Sequence, residues 1–386
     1  MTRMGRTILY VHPSDELYGS DRCLLDIVQG LPPGDRAVVV LPTDLSYAGA
    51  LSRELEAAGA TVERVNMLVL RRALLRPANL PDLIRRFVSG TIGIRRLIRE
   101  HHAALVHSNT VAVVCGASAA LLTGVPHVWH VHEHIGDEPR SYRTLIRLML
   151  TVFPGRIIAN SRSVARALIG GSSRRLARTR IVENSVDPAI QPVDRSGRGG
   201  DAPVVIGVVG RLSPRKGTAE AIEAAALLAS RSVSFEMRFV GDVTPGQDEL
   251  RRQYQKLVES LELGDYVSFS GQVENVRRQL ESFDILLLPS QRPEPFGLVV
   301  IEAMAAALPV VATLNGGGSD DILDHGRTGV YCGREPAAIA GALERLIDDR
   351  RARLELGQEA AREAARRYSR ERYRAGIFRI YDAVGR

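Results

Sequence analysis

A chain of 386 residues is long for a single core and comfortable for two domains. Its ordinary balance of 45% hydrophobic and 25% charged residues, with no biased or repeated tract, excludes a disordered or solenoid protein. Three scattered cysteines (Cys23, Cys115, Cys332) exclude a disulfide framework or a cysteine zinc site, and a net charge of +7 invites an anionic partner.

Short β-branched runs open the chain at Thr7-Val11, Ala37-Leu41 and Thr61-Asn66 and recur at Ala104-His107, His127-His130 and Arg156-Ala159. Helical patterns lie between them, as at Asp21-Gly30, Asp82-His101 and Ser161-Ile169. Strands alternating with helices imply parallel sheets built from βαβ units. Asp187 to Pro203 breaks the rhythm with prolines, glycines and charges and reads as a linker. The alternation then restarts with strands at Val204-Val209, Ser234-Val240, Tyr266-Ser270, Asp284-Leu288 and Pro309-Ala312, and Arg351 to Arg386 closes the chain as a charged helical segment.

The apolar run Ile8-Val11 is too short for a signal-peptide core, and Val111 to Leu122 is too short to span a bilayer, so a soluble, cytoplasmic protein is expected. Arg71 to Arg99 carries eight arginines against one acid, Asp82. Leu83, Ile84, Phe87, Val88, Ile94, Leu97 and Ile98 recur within it at roughly helical spacing. Such a helix can lie on an anionic membrane surface, or turn its apolar stripe to a sheet and its arginines to water; the two are compatible. Charge alone suggests nucleic acid, but no aromatic-basic interleaving supports that partner.

Ligands of open α/β sheets bind outside the carboxyl ends of the strands, so two such sheets point to a cleft between domains. The chemical motifs do follow strands. Gly210-Arg-Leu-Ser-Pro-Arg-Lys-Gly217 joins the strand Val204-Val209 to a helix at Thr218-Ser230. Free backbone N–H groups, Arg211 and Lys216 there suit a diphosphate. Arg215 stands where a Walker loop needs glycine, and a tight turn with solvated basic residues is the bland alternative. Glu294 and Glu302 are separated by seven residues in EPFGLVVIE. Pro295 pushes Glu294 into extended backbone, Gly297 lets the chain approach a ligand, and a helix starts near Leu298 with Glu302 one turn in. One carboxylate then reaches a sugar ring and the other a ribose diol, with N–H groups of Gly297 to Val299 on phosphate. Otherwise Glu302 is a solvated helix residue, although its surroundings are wholly apolar and a buried acid needs a partner.

GRLSPRKG, EPFGLVVIEAMAAALPVVAT and Gly316-Gly317-Gly318 ahead of Asp320-Asp321 resemble family-4 glycosyltransferases of the GT-B fold, strongly over the second half and weakly over the first. The resemblance implies two Rossmann-like, doubly wound α/β domains facing across a cleft: residues 1-190 on the acceptor side, with helix 369-386 packing back on it, and 200-368 holding the donor. It also implies a retaining, metal-independent hexosyl transfer from a nucleotide-diphosphate sugar to a glycan or lipid-linked acceptor of the cell envelope, without a cofactor. Arg211 and Lys216 would hold the diphosphate, Glu294 the sugar hydroxyls and Glu302 the ribose. Gly210, Phe296, Gly297, Leu298 and Val299 complete the donor set. Two positions depart from the family pattern: Ala307 replaces a glycine, which alters helix-end packing, and Asp321 replaces a glutamate.

In the first half, Gly19-Ser20 sits where the family has a glycine-rich loop near the donor phosphate, though Ser20 can simply cap a helix. His130, His132 and His134 alternate, so in extended chain they share a face, but the spacing does not match a metallohydrolase motif. The resemblance implies one cleft histidine on the transferred sugar, His132 first and His130 its close rival. His107 and Asn109 after one strand, and Asn184 in the segment Asn184-Ser185-Val186-Asp187, are acceptor-side candidates. No residue suits an enzymic nucleophile, so a front-face route fits, the donor phosphate helping to deprotonate the acceptor. A nucleotide-sugar epimerase or hydrolase of the same fold is the alternative.

Overall fold

The computed structural model describes residues 5–45, 49–70, 79–198, 202–273 and 275–384. It divides into two compact units, Met1–Asn184 with Glu371–Arg386, and Ser185–Arg370.

The first unit alternates β1 (Thr7–Val11), α1 (Gly19–Gln29), β2 (Arg36–Pro42), α2 (Ala50–Ala57), β3 (Thr61–Val65), α3 (Leu80–Glu100), β4 (Ala103–Ser108), α4 (Val114–Thr123), β5 (His127–Val131), α5 (Arg140–Val152), β6 (Arg156–Ala159), α6 (Arg162–Ile169), α7 (Ser173–Arg178) and β7 (Thr179–Ile181). Seven parallel strands run in the order β3-β2-β1-β4-β5-β6-β7. Right-handed crossovers put α1 and α2 on one face of this sheet and α3 to α7 on the other. Leu9 and Val11 join the core beneath α3 and α4, with Ile94, Leu97, Val113 and Trp129. Tyr10, one residue out of phase, faces the other way.

The second unit continues with β8 (Val204–Val209), α8 (Thr218–Ser230), β9 (Phe235–Val240), α9 (Asp248–Ser260), β10 (Val267–Gly271), α10 (Val276–Ser282), β11 (Ile285–Leu288), α11 (Leu298–Ala305), β12 (Val310–Thr313), β13 (Val330–Cys332), α12 (Pro336–Asp348) and α13 (Arg350–Arg367). Its strand order is β10-β9-β8-β11-β12-β13. The order reverses between β8 and β11 here, and between β1 and β4 in the first unit. Such a reversal leaves a crevice at the carboxyl ends of the strands, where crossovers diverge to opposite faces.

Two short strands, β7 and β13, escape a reading of pattern because three residues carry no usable period. The closing segment is two helices, the second where a separate C-terminal helix was expected. Tyr368, buried against Phe296, ends α13, and α14 (Arg370–Val384) starts beyond it. Helix α14 returns to the first unit, where the Tyr373 hydroxyl donates to the Cys23 carbonyl (3.3 Å) and Arg374 pairs with Asp26 (2.8 Å).

Within the expected linker, Asp187 to Pro203, residues 187–198 have no regular structure, and they are fixed to the second unit by Arg195, whose buried guanidinium donates to the carbonyls of Leu280 (2.8 Å), Phe283 (2.8 Å) and Ala306 (2.7 Å). These carbonyls cluster at the ends of α10 and α11, where unpaired acceptors and the negative helix dipole favour a cation. Burial lowers the Arg195 guanidinium to about 10. Ala307 follows with φ of +54°, a left-handed conformation that suits glycine. Its substitution for glycine therefore strains the backbone as well as altering packing.

Arg195→Met should leave three buried carbonyls short of a donor and destabilise the second unit by roughly 2–4 kcal/mol, read as a lowered thermal transition. Ala307→Gly should act oppositely: relief of left-handed strain, about 1–2 kcal/mol, exceeds the added unfolded-state entropy, so the same transition should rise by a few degrees.

Candidate functional site

In the second unit, the loops after β8 and β11 flank the reversal of strand order and meet through a charge pair. The first loop leaves β8 at Gly210 and closes a 3-10 turn over Pro214–Lys216, capped by Ser213. Gly217 has φ of +73°, and a Cβ there would lie 1.9 Å from the Pro289 carbonyl oxygen. This close approach carries Lys216 to Glu294, with Nζ 2.9 Å from Oε1 and 3.0 Å from Oε2. Arg215 crosses the same gap to donate to the Pro293 carbonyl.

Glu294 is buried, and the Ser290 hydroxyl donates to its Oε1 at 2.6 Å. Burial alone would raise its carboxyl. The Lys216 charge, the Ser290 hydroxyl and the more distant Arg215 instead hold it below the usual glutamate range. Its backbone is fixed too: Asn315 Oδ1 accepts from Glu294 N–H (3.2 Å), and Gly318 N–H donates to the Glu294 carbonyl (2.6 Å). A Cβ on Gly317 would lie 2.3 Å from the Glu294 nitrogen, so the glycine run is a packing requirement of this loop. Asp320 closes the turn by accepting from Gly316 N–H (2.7 Å).

Helix α11 starts after Gly297, whose φ is +105°. Gly297, Leu298 and Val299 are half-exposed, so the first turn presents unpaired N–H groups beside Lys216 and Glu294. Glu302 lies one turn on and is buried among apolar neighbours, not solvated. Arg211 is exposed at the start of the first loop. Phe296 differs from its expected place in the donor set: its ring is buried edge-on against Tyr368 (5.9 Å), and only its backbone remains at the loop.

The first unit builds a second polar centre at its own reversal, after β1, β4 and β5. His12 is buried; its Nδ1 accepts from the Asn109 amide (3.0 Å), so its Nε2 proton points to Asp21 Oδ1 (2.5 Å). Burial raises the Asp21 carboxyl, but His12, Ser14 and the Tyr18 N–H outweigh it and hold it low. Asn109 Oδ1 faces His132 Nε2 at 3.3 Å, which makes Nε2 the donor and leaves the Nδ1 lone pair. Asp21, His12, Asn109 and His132 thus form a chain that orients the last ring. Desolvation by the crevice walls pushes the His132 imidazole down to about 3 although part of the residue stays exposed, so it works as a neutral acceptor. Glu133 ties this loop together by accepting from His132 N–H (3.1 Å), and burial raises its carboxyl to about 7.

Strand β5 ends at Val131, so the alternation of His130, His132 and His134 does not hold. His130 is fully buried beside His107 and Tyr373, whereas His132 is half-exposed and His134 turns to Ser163 (2.9 Å). Among the described residues no three His, Cys, Asp or Glu side chains are grouped to hold a metal. His107 is no surface residue either: its Nδ1 is hydrogen-bonded to the Tyr381 hydroxyl of α14 (2.8 Å), deep in the core. Gly19 and Ser20 form the first turn of α1; Ser20 does not cap it, and its carbonyl accepts from Asn109 (3.0 Å). Asn184 is buried at the end of the unit, with nothing tying it to this centre. His12 and Asp21 escaped the sequence reading, since one looks like a strand interruption and the other like a helix-start acid.

The model of the glycosyl transferases group 1 matches residues 194–363, and that of Glycosyltransferase Family 4 matches residues 19–190. The chain is 31% identical over 304 residues to a D-inositol 3-phosphate glycosyltransferase of Pseudarthrobacter chlorophenolicus, covering 73% of this chain and 71% of that one. A protein of the same name from Paenarthrobacter aurescens is 30% identical, with 78% of each chain covered. Among solved structures, Anabaena HepE in complex with UDP and glucose superposes with a TM-score of 0.81 over 97% of this chain and 99% of its own, at 24% identity. Sucrose-phosphate synthase from Thermosynechococcus elongatus gives 0.76 over 98% of each, at 18% identity. At these identities the neighbours establish the GT-B fold.

Lys216→Ala should strand the buried Glu294 carboxylate and cost roughly 2–4 kcal/mol, toward the low end because the lysine is partly exposed. The pH dependence has a definite sign. In the parent, Glu294 stabilises above the usual glutamate range and that contribution fades as pH falls through its lowered value. In the variant the carboxyl rises, so acid-side titrations of stability should show the loss already at neutral pH and partial recovery toward acid.

Proposed function

The chain belongs to the family-4 glycosyltransferases, and from that premise we propose that it transfers a hexose-type sugar from a nucleotide-diphosphate sugar to a hydroxyl acceptor, with retention and without a metal. The observation that carries this reading is the meeting of Lys216 and Glu294 beside the open first turn of α11, at the reversal of the second sheet. Two cations and a set of unpaired N–H groups suit a diphosphate, and Glu302 lies at the spacing expected for a ribose diol. UDP and glucose in the HepE structure support the same donor class.

The reaction breaks the bond between the anomeric carbon and the diphosphate oxygen. The acceptor oxygen attacks from the face the leaving group departs, and its proton passes to a departing phosphate oxygen. Lys216, Arg211 and the N–H groups at Gly297 to Val299 stabilise the charge that grows on the leaving group, commonly the largest catalytic contribution. Lys216 is held by Glu294, so donor binding must share its ammonium between carboxylate and phosphate. His132, neutral and oriented through Asn109, accepts a hydrogen bond from a sugar hydroxyl by Nδ1.

The acceptor is a glycan or a lipid-linked alcohol. D-inositol 3-phosphate, which the relatives' name supplies, is the second candidate. Around His132 stand the buried His12 ring, the Asn109 amide and the acids Asp21 and Glu133, surroundings that favour an uncharged hydroxyl over a phosphate.

Incubation with a panel of nucleotide sugars in EDTA, followed by nucleoside diphosphate release, tests the donor reading. Release from one donor is expected, lowered roughly 10²–10³-fold by Lys216→Ala and by Glu302→Ala, with folding checked by circular dichroism. Silence across the panel, with no thermal shift by any nucleotide, would sink it. Adding inositol phosphate or neutral glycosides and scoring the product anomer by NMR separates the two acceptors; turnover equally fast without any acceptor would point to an epimerase or hydrolase. In the same assay His132→Ala should cut turnover by about 10²-fold, whereas His130→Ala should act mainly through stability.

A further inference from the structure

Helix α3 has two apolar faces where one would suffice. Leu83, Phe87, Ile94, Leu97 and Ile98 pack on the first sheet. Leu80, Ile84, Val88 and Ile92 form a second stripe at four-residue spacing that points to solvent, 48% to 62% exposed. Ile84 and Val88 therefore belong to the outer stripe and not to the core face. Arg85, Arg96 and Arg99 share this outward side, while Asp82 is occupied by Arg85 and Arg86 and Glu100 lies 3.9 Å from Arg96. Arg71, Arg72 and Arg76 lie outside the described residues.

The neighbouring helices repeat the pattern. On α5, Ile146, Met149 and Leu150 are buried while Leu145, Leu148 and Val152 are exposed; Leu121 and Leu122 end α4, and Leu176 sits on α7. From Arg140 to Arg180 the sequence contains ten arginines and no aspartate or glutamate. Strand order puts α3 to α7 on one side of the sheet, so the exposed aliphatics and arginines form one layer. In the second unit, Leu261 and Leu314 are the large hydrophobics exposed among the described residues.

We propose that this helical face of the first unit docks on an anionic lipid bilayer, its aliphatics entering the headgroup region and its arginines meeting lipid phosphates. Charge decides between occupants. A second copy would bring the same arginine-rich, acid-poor face against itself, and the excess of like charges would oppose the pairing. Nucleic acid would gain from the arginines but nothing from leucine, isoleucine and valine stripes, which offer no stacking surface. A bilayer of anionic lipid uses both features. No described helix is long and apolar enough to cross a membrane, so the contact is a surface one. The proposal stands apart from the donor reading, because no residue of this face belongs to either polar centre.

The test is co-sedimentation of the full chain with phosphatidylcholine vesicles, with and without about one-third phosphatidylglycerol, at low and high salt. Binding to the phosphatidylglycerol vesicles, weakened by salt and at least tenfold weaker to phosphatidylcholine alone, is expected. The paired substitutions Val88→Ser with Ile92→Ser, and Leu148→Ser with Val152→Ser, should each cut vesicle affinity about tenfold or more. Arg96→Gln with Arg99→Gln should remove much of the salt dependence. Thermal shift by nucleotide and diphosphate release on a soluble acceptor should be unchanged in all three, which keeps a failed surface distinct from a failed donor site. Absence of vesicle binding at low salt, binding indifferent to these substitutions, a dimer in light scattering that they dissolve, or tighter binding of single-stranded RNA with the same dependence would each overturn the proposal.

Discussion

A carboxylate folded into a protein interior must be met by a cation and by hydrogen-bond donors, or ionisation pulls the fold apart. Glu294 is such a group, and the second unit is arranged around answering it. Lys216 must arrive from the loop after β8, which requires the left-handed Gly217 to pass against Pro289. Asn315 and Gly318 must reach its backbone from the loop after β12, which requires Gly317 to carry no side chain. Three loops spread over about a hundred residues of chain are thus locked to one glutamate, by its side chain or its backbone, at the place where the sheet reverses. The same arrangement that satisfies the acid also assembles cations and open N–H groups, so structural necessity and anion binding share the same atoms.

The first unit solves a different problem with different chemistry. Its reversal point is lined by imidazoles, and a chain of hydrogen bonds sets their orientation. Asp21 fixes the tautomer of His12, the amide of Asn109 reads that tautomer, and its carbonyl passes the direction to His132. A neutral, directional acceptor of this kind suits an alcohol, as the charged second unit suits a diphosphate.

Much of this was legible in the chain. Parallel strands betray themselves by continuous β-branched runs between helices, and the eleven expected strands lie within one or two residues of where they form. The second unit's motif was legible because its residues are close in sequence and bound to backbone rules: Pro295, Gly297 and Gly217 each demand a particular geometry. The first unit's centre was not. His12, Asp21, Asn109 and His132 come from four segments up to about 120 residues apart, and no local rule connects a histidine after one strand to an amide after another. Burial was equally hidden. His107 and His130 have the same residue type and strand-end position as His132, and only the return of α14, which covers them with Tyr373 and Tyr381, separates core from surface. The expected linker does lack regular structure, but composition reports only that lack of periodicity and not the anchoring by a buried arginine.

That return of α14 also bears on how the chain is made. Tyr381 completes the core around Tyr10 and His107, so the first unit joins residues more than 270 positions apart, whereas the second is one uninterrupted stretch. During synthesis the second unit has its whole sequence available first, although its codons come later than most of the first unit's. The first unit must wait for α14 before Tyr10, His107 and Cys23 find their partners. Nascent chains would therefore carry an open first sheet beside a finished second one. Helix α14 acts as a checkpoint: only a chain translated through it can close the imidazole-lined half of the enzyme.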